Sequence, residues 1–194
     1  DRTKSRGLGD VYKRQAKDDN SVPVRKGSYY YSNEVTGDNE YEVHLRAKDF
    51  AGTDKQVILD VNELAKEHEF FSIGGLYVSP NENMLAYGED TLSRRIYTIK
   101  IKDLTTGEYL KDEIEGASSA IAWQNDNQAF YYIKKDPQTL LGYQVYRHVL
   151  GTPQTSDELI YEETDSAYYT FLSKSKDGEQ VYIWHSSTET SGVS

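Results

Sequence analysis

From Ser28 onward, apolar and polar residues trade places with a period of two over short stretches, and each stretch closes on a turn signal. Glu42-Val43-His44-Leu45-Arg46-Ala47 alternates polar and apolar, the pattern of a half-buried strand. Tyr97, Ile99 and Ile101 mark one face of a strand over Arg95–Lys102. Tyr143, Val145 and Val149 mark another between Gly142 and Val149, with Arg147 interrupting that face. Thr106-Gly107, Asn125-Asp126-Asn127 and Lys176-Asp177-Gly178 supply turns between strands. One short helix is predicted over Val61–His68, where Asp60 and Glu63 occupy the two positions of a capping box. The chain therefore reads as all-β.

The strands repeat. Leu76-Tyr77-Val78-Ser79-Pro80-Asn81 and Met84-Leu85-Ala86-Tyr87 predict one hairpin. Ile121-Ala122-Trp123-Gln124-Asn125-Asp126 with Ala129-Phe130-Tyr131-Tyr132 predicts a second, and Phe171–Ser175 with Gln180–Ile183 a third. Tyr87 to Tyr132 is 45 residues and Tyr132 to Ile183 is 51. Two further strand-like runs lie between successive hairpins, Arg95–Lys102 with Tyr109–Glu113, then Gly142–Val149 with Glu158–Glu162. Four strands per repeat at this spacing is the period of β-propeller blades. The expected fold is an incomplete β-propeller with blades over about 28–60, 73–113, 118–162 and 168–194, two of them complete and two partial. A closed propeller needs about four to eight blades, so this set is expected to leave strand edges open. A β-sandwich is the alternative, but it gives no reason for hairpins to recur at near-constant spacing.

Composition narrows the picture. With 194 residues, one domain is expected. No cysteine is present, which excludes a disulfide framework, a thiolate metal site and a cysteine nucleophile, and fits a reducing cytoplasm. No apolar run approaches the ~18 residues of a membrane-spanning helix. The net charge of −10 argues against a nucleic-acid partner and for a surface that attracts basic ligands. Residues 1–15 stand apart, with Arg2, Lys4, Arg6, Lys13 and Arg14 against two acidic residues and no apolar periodicity. Gly7–Gln15 resembles translated adapter read-through, a natural basic tail being the alternative, and 16–27 reads as a linker. The chain opens without Met and stops at Ser194 with no closing element, so it is expected to be a piece of a longer protein.

Less generic strings point to a family. His68-Glu69-Phe70-Phe71-Ser72-Ile73-Gly74-Gly75 is followed by Glu89-Asp90-Thr91-Leu92-Ser93-Arg94-Arg95-Ile96-Tyr97. Then come Leu140–His148, Gly151-Thr152 and Leu159-Ile160-Tyr161-Glu162-Glu163. In this order and spacing they resemble the propeller of the oligopeptidase B group within the prolyl oligopeptidase family of serine peptidases. The resemblance covers Val24 to Ser194. It implies part of a seven-bladed propeller that caps an α/β-hydrolase domain, absent here, with a Ser-Asp-His triad cleaving short peptides after Arg or Lys. The partners it implies are basic short peptides and that hydrolase domain, and the sequence as given is expected to be inactive alone. A propeller that binds protein or peptide partners without catalysis is the alternative.

The residues themselves offer little catalytic chemistry. A hydrolase elbow needs Gly-x-Ser-x-Gly, and Gly116-Ala117-Ser118-Ser119-Ala120 lacks the second glycine and leads into a strand. Ser118 therefore reads as part of a blade-edge turn, and no catalytic residue is assigned. His44, His68, His148 and His185 show no zinc-ligand spacing, so no metal or cofactor is expected. Glu162 and Glu163 are strand neighbours on opposite faces and cannot flank one bond. The cluster that stands out is Glu89, Asp90, Arg94 and Arg95, charges in a hairpin between two blade strands. Glu89, Arg94 and Arg95 are expected to form salt bridges across the propeller–hydrolase interface, with a local surface charge pair as the alternative.

Overall fold

The computed structural model describes residues 19–187, and 191–193 as backbone. The tail at 1–15 lies outside the described residues. The chain divides into two compact units, one ending at Glu67 and one beginning at His68.

The first unit is a single antiparallel sheet built from β1 (Asp19–Asn20), β2 (Val24–Lys26), β3 (Tyr29–Val35), β4 (Val43–Ala47) and β5 (Gln56–Asp60). β1 and β2 share one edge of β3, with Asp19 opposite Val35 and Val24 opposite Tyr31. Pro23 falls between them, where a residue without an N–H has to break the ladder. Residues 19–26, expected as linker, thus belong to the sheet. Lys26 faces Tyr29 across a two-residue hairpin in which Gly27 takes φ 58°, a conformation open to glycine. Helix α1 spans Val61–Ala65, shorter than the predicted run to His68. Its only buried residues are Val61 and Ala65, one turn apart, and 66–69 are exposed, so nothing rewards a longer helix. Asp60 caps it as predicted, accepting from the backbone N–H of Asn62 (3.0 Å) and Glu63 (3.4 Å).

The second unit carries β6 (Ser72–Val78), β7 (Met84–Asp90), β8 (Tyr97–Asp103), β9 (Tyr109–Trp123), β10 (Ala129–Lys135), β11 (Gly142–Val149) and β12 (Glu158–Glu162) as one antiparallel series in chain order. A separate sheet holds β13 (Tyr169–Lys174), β14 (Val181–Ser186) and β15 (Ser191–Val193). The series is two four-stranded blades that share β9. Its first half pairs with β8, Ile99 opposite Ile114, and its second half with β10, Phe130 opposite Trp123. The turn expected at 116–120 is not there. Gly116 at φ 72° kinks the strand instead, and Ala117 pairs with both Tyr97 and Lys134.

The main core lies between these two blades. Ala86, Ile99, Ile101 and Ile114 of the first blade meet Ile121, Trp123, Phe130 and Tyr132 of the second. Buried apolar area of this kind supplies roughly 25 cal/mol per Å² and dominates the stability of the fold. Hydrogen bonds then fix the spacing. Trp123 Nε1 donates to the Tyr77 carbonyl (2.8 Å). Lys174 Nζ donates to the Trp123 carbonyl (2.8 Å) and to Asn125 Oδ1 (2.9 Å). The first strands of three successive blades are thereby linked at separations of 46 and 51 residues, within one residue of the repeat lengths. Among the described residues no helix is long and apolar enough to cross a membrane.

Candidate functional site

The charged cluster at the end of β7 is an ordered loop. Asp90 is buried, and its carboxylate accepts three backbone N–H groups from the loop that follows. Oδ1 takes those of Leu92 (3.0 Å) and Arg94 (3.4 Å), and Oδ2 takes that of Arg95 (2.8 Å). These bonds hold Ser93 at φ 55° and Arg95 at φ 54°, left-handed conformations uncommon outside glycine. Both arginine side chains are exposed, as is Leu92 at 74%.

A second loop lies against the first. Between β10 and β11, Asp136 accepts from the backbone N–H of Gln138 (2.8 Å) and Thr139 (2.7 Å), which holds its carboxyl below the usual range. Leu140 is left-handed there at φ 61°, and Leu140 and Leu141 are exposed. Arg94 Nη2 donates to the Pro137 carbonyl (3.2 Å), and Lys135 Nζ donates to the Arg95 carbonyl (2.7 Å). Burial, then the neighbouring Arg95, lowers the Lys135 pKa, and Asp90 opposes them. Loops of adjacent blades therefore form one platform with an apolar crest and guanidinium flanks.

Glu89 takes no part in it. Its carboxylate accepts from the Tyr87 hydroxyl (2.9 Å), itself 3.4 Å from the Tyr109 hydroxyl. Burial foremost, then Tyr109 and Glu89, pushes the Tyr87 phenol far above its ordinary value. Among the described residues neither Arg94 nor Arg95 meets a carboxylate, so the local charge pair is not formed. The structure brings Asp90, Arg94 and Arg95 together and leaves Glu89 on β7 with the tyrosines.

A second polar cluster was not visible in the sequence. His148 of β11 has no exposed surface. Its Nδ1 lies 2.7 Å from Asp157 Oδ1 and its Nε2 2.9 Å from Asp112 Oδ1. Asp112 also accepts from the Gly151 N–H (2.6 Å), and Asp157 from the Tyr132 hydroxyl (2.8 Å). Asp112 belongs to the half of β9 paired with the first blade and His148 to the second blade, so the cluster ties the two. A histidine in a strand where both faces are buried was the available signal, but alternation hid it because Val145, on the opposite face, is also buried.

The remaining candidates stay apart. Ser118 lies inside β9, and its hydroxyl accepts from the Ala120 N–H (3.0 Å). His44 is half-buried near Glu42, and burial lowers its pKa against that carboxylate. His68 lies 5.4 Å from the Phe71 ring, and His185 lies 4.6 Å from the Tyr161 ring and 3.5 Å from Glu163 Oε2. Among the described residues no group of three or more His, Asp or Glu side chains is placed to hold a metal ion. A cleft of about 380 Å³ opens between the second blade and β13–β14, floored by Val145, Leu172 and Ile183. On its rim Gln124, Tyr131 and Lys174 already bond to one another or to the backbone.

Comparison with known proteins places these features. Residues 4–193 match the family described as prolyl oligopeptidase, N-terminal beta-propeller domain. Dipeptidyl aminopeptidase BI of Pseudoxanthomonas mexicana is 40% identical over 94% of this chain, which spans 27% of that protein. Among solved structures, oligopeptidase B from Leishmania major superposes with a TM-score of 0.88 at 28% identity over 95% of this chain. Oligopeptidase B from Trypanosoma brucei, described as a closed form with covalently bound antipain, gives 0.83 at 25% identity over 95%. The chain spans 27% of each of those two chains as well.

Proposed function

Because the chain belongs to the N-terminal β-propeller family of the prolyl oligopeptidases, we propose that it is the substrate-restricting part of a serine peptidase of the oligopeptidase B type, acting on short peptides after Arg or Lys. The observation that carries this is the match of nearly the whole chain to an oligopeptidase B propeller at a TM-score of 0.88. The net charge of −10 supports a basic substrate, since an acidic surface raises the local concentration of cationic peptides. Glu89, Arg94 and Arg95 are, on this reading, contacts to the hydrolase domain that close the enzyme around its substrate, and a closed form with covalently bound antipain is described for the trypanosome protein. Of the three, the arginines have free charge to offer, while Glu89 is already engaged by Tyr87. Among the described residues no nucleophile and base are assembled, and we expect this chain alone not to hydrolyse peptides.

The name of the Pseudoxanthomonas relative favours a second specificity, release of dipeptides from an N-terminus. One experiment separates the readings. The reading frame is followed past Ser194, the whole polypeptide is expressed, and cleavage is mapped by mass spectrometry on peptides with internal Arg, Lys or Pro and with free or blocked N-termini. Cuts after Arg and Lys whatever the N-terminus support the proposal, and dipeptides released only from free N-termini support the second reading. A stop codon after a few more blades, with no Gly-x-Ser-x-Gly, removes the enzyme and leaves a binding propeller.

A further inference from the structure

We propose that Asp90 is a positioning residue for domain closure, fixing the display of the Arg94 and Arg95 guanidinium groups toward a carboxylate-bearing face of the peptidase domain in the same polypeptide. The inference rests on the function proposed above and assigns the contact within it. Three observations carry it. Asp90 is 3% exposed and its carboxylate is spent wholly on the backbone of the loop that presents the arginines. The arginines are exposed and meet no carboxylate among the described residues, on a chain with 32 acidic side chains against 22 basic ones. The loop is also braced from the next blade, by Lys135 on the Arg95 carbonyl and by the Pro137 carbonyl on Arg94.

Ser93 and Arg95 sit in left-handed backbone, where glycine is free of strain. Holding non-glycine residues there, with a buried carboxylate as the holder, gives a display whose ordering cost is met before the partner arrives. The complement of two guanidinium groups presented from a fixed backbone is a carboxylate, the pairing in which arginine gains most from planar geometry. Leu92, 74% exposed at the crest, adds apolar area to the same contact.

The test uses the whole polypeptide and a short peptide that the wild type cleaves. Asp90→Asn keeps the volume but turns one acceptor into a donor, so at least one of the three N–H groups loses its partner. Arg94→Ala with Arg95→Ala removes the display itself. Each is expected to lower kcat/KM about tenfold, the worth of one charge-assisted hydrogen bond. The triple variant should be no worse than either alone, because Asp90 acts through the arginines. Lys135→Met, which removes the donor to the Arg95 carbonyl and leaves the three hydrogen bonds of Asp90 in place, should repeat the loss and covers the case in which Asp90→Asn does not fold. Limited trypsin digestion of the whole polypeptide, with cuts mapped by mass spectrometry, should cleave after Arg94 or Arg95 about tenfold faster in Asp90→Asn than in wild type. An inactive wild type overturns the functional reading and this role with it. An active wild type in which the arginine variants keep full kcat/KM, in which the losses simply add, or in which the variants change only the oligomeric mass, overturns the role of Asp90 and leaves the reading standing.

Discussion

His148 is fully buried and lies within hydrogen-bond distance of two carboxylates. Asp112 and Asp157 are both almost wholly buried around it, and among the described residues neither forms an ion pair with a lysine or arginine. Removing the histidine leaves two buried carboxylates without the partner they share, and a buried acceptor left unsatisfied costs about 1–3 kcal/mol or more. His148→Ala should therefore shift the urea midpoint strongly downward without changing the slope of the transition, followed through the fluorescence of Trp123. That reporter is well placed, because Phe130 lies 5.3 Å from both the Trp123 and His148 rings. A midpoint within experimental scatter of wild type would mean that the cluster is not load-sharing. None of this could be read from sequence. Asp112 and Asp157 are 36 and 9 residues from His148, and only the path of the chain brings them to it. The charges at Asp90, Arg94 and Arg95 could be read, because they crowd one loop. Their division of labour could not, since a buried Asp and an exposed Arg look alike as letters.

At the scale of elements, the hairpin turns are linked as well as the strands. Asn127, at φ 61°, accepts from the Asn81 backbone N–H through Oδ1 (2.7 Å), so the turn of one blade is fastened to the turn of the next. Two contributions can be separated there. Asn127→Gly keeps the left-handed backbone and loses the bond, at a cost of about 1 kcal/mol. Asn127→Ala loses the bond and strains the backbone as well, and should cost about 1 kcal/mol more. Equal losses in chemical denaturation would show that the turn conformation is not under strain. Strand order and blade spacing were legible in the sequence because each hairpin has its own turn residues and alternation. The merger of two strands into β9 was not, because Gly116 reads as a turn residue when nothing shows that both flanking segments stay hydrogen-bonded through it. The helix end at Ala65 was likewise set by which side chains find cover, and propensity does not report that.

At the scale of the molecule, burial of tyrosine sets a limit at high pH. Tyr87 and Tyr132 are among the largest fully buried side chains, and burial pushes both phenols far above the value near 10 that they have in an unfolded chain. The folded chain therefore keeps protons that the unfolded chain gives up. Stability from this source is complete below pH ~10 and falls above it by about 1.4 kcal/mol per pH unit for each tyrosine. Thermal melts between pH 9 and 11.5 should show that decline, and Tyr87→Phe should make it shallower. An unchanged slope in the variant would mean that Tyr87 ionises in place. The strand β9 carries a different consequence. A strand that serves two blades makes them a single heritable unit, since neither can be copied or deleted without cutting the other's ladder. Rearrangements that add or remove blades in this lineage should have their joints in loops such as residues 163–168, between β12 and β13, and never at Gly116.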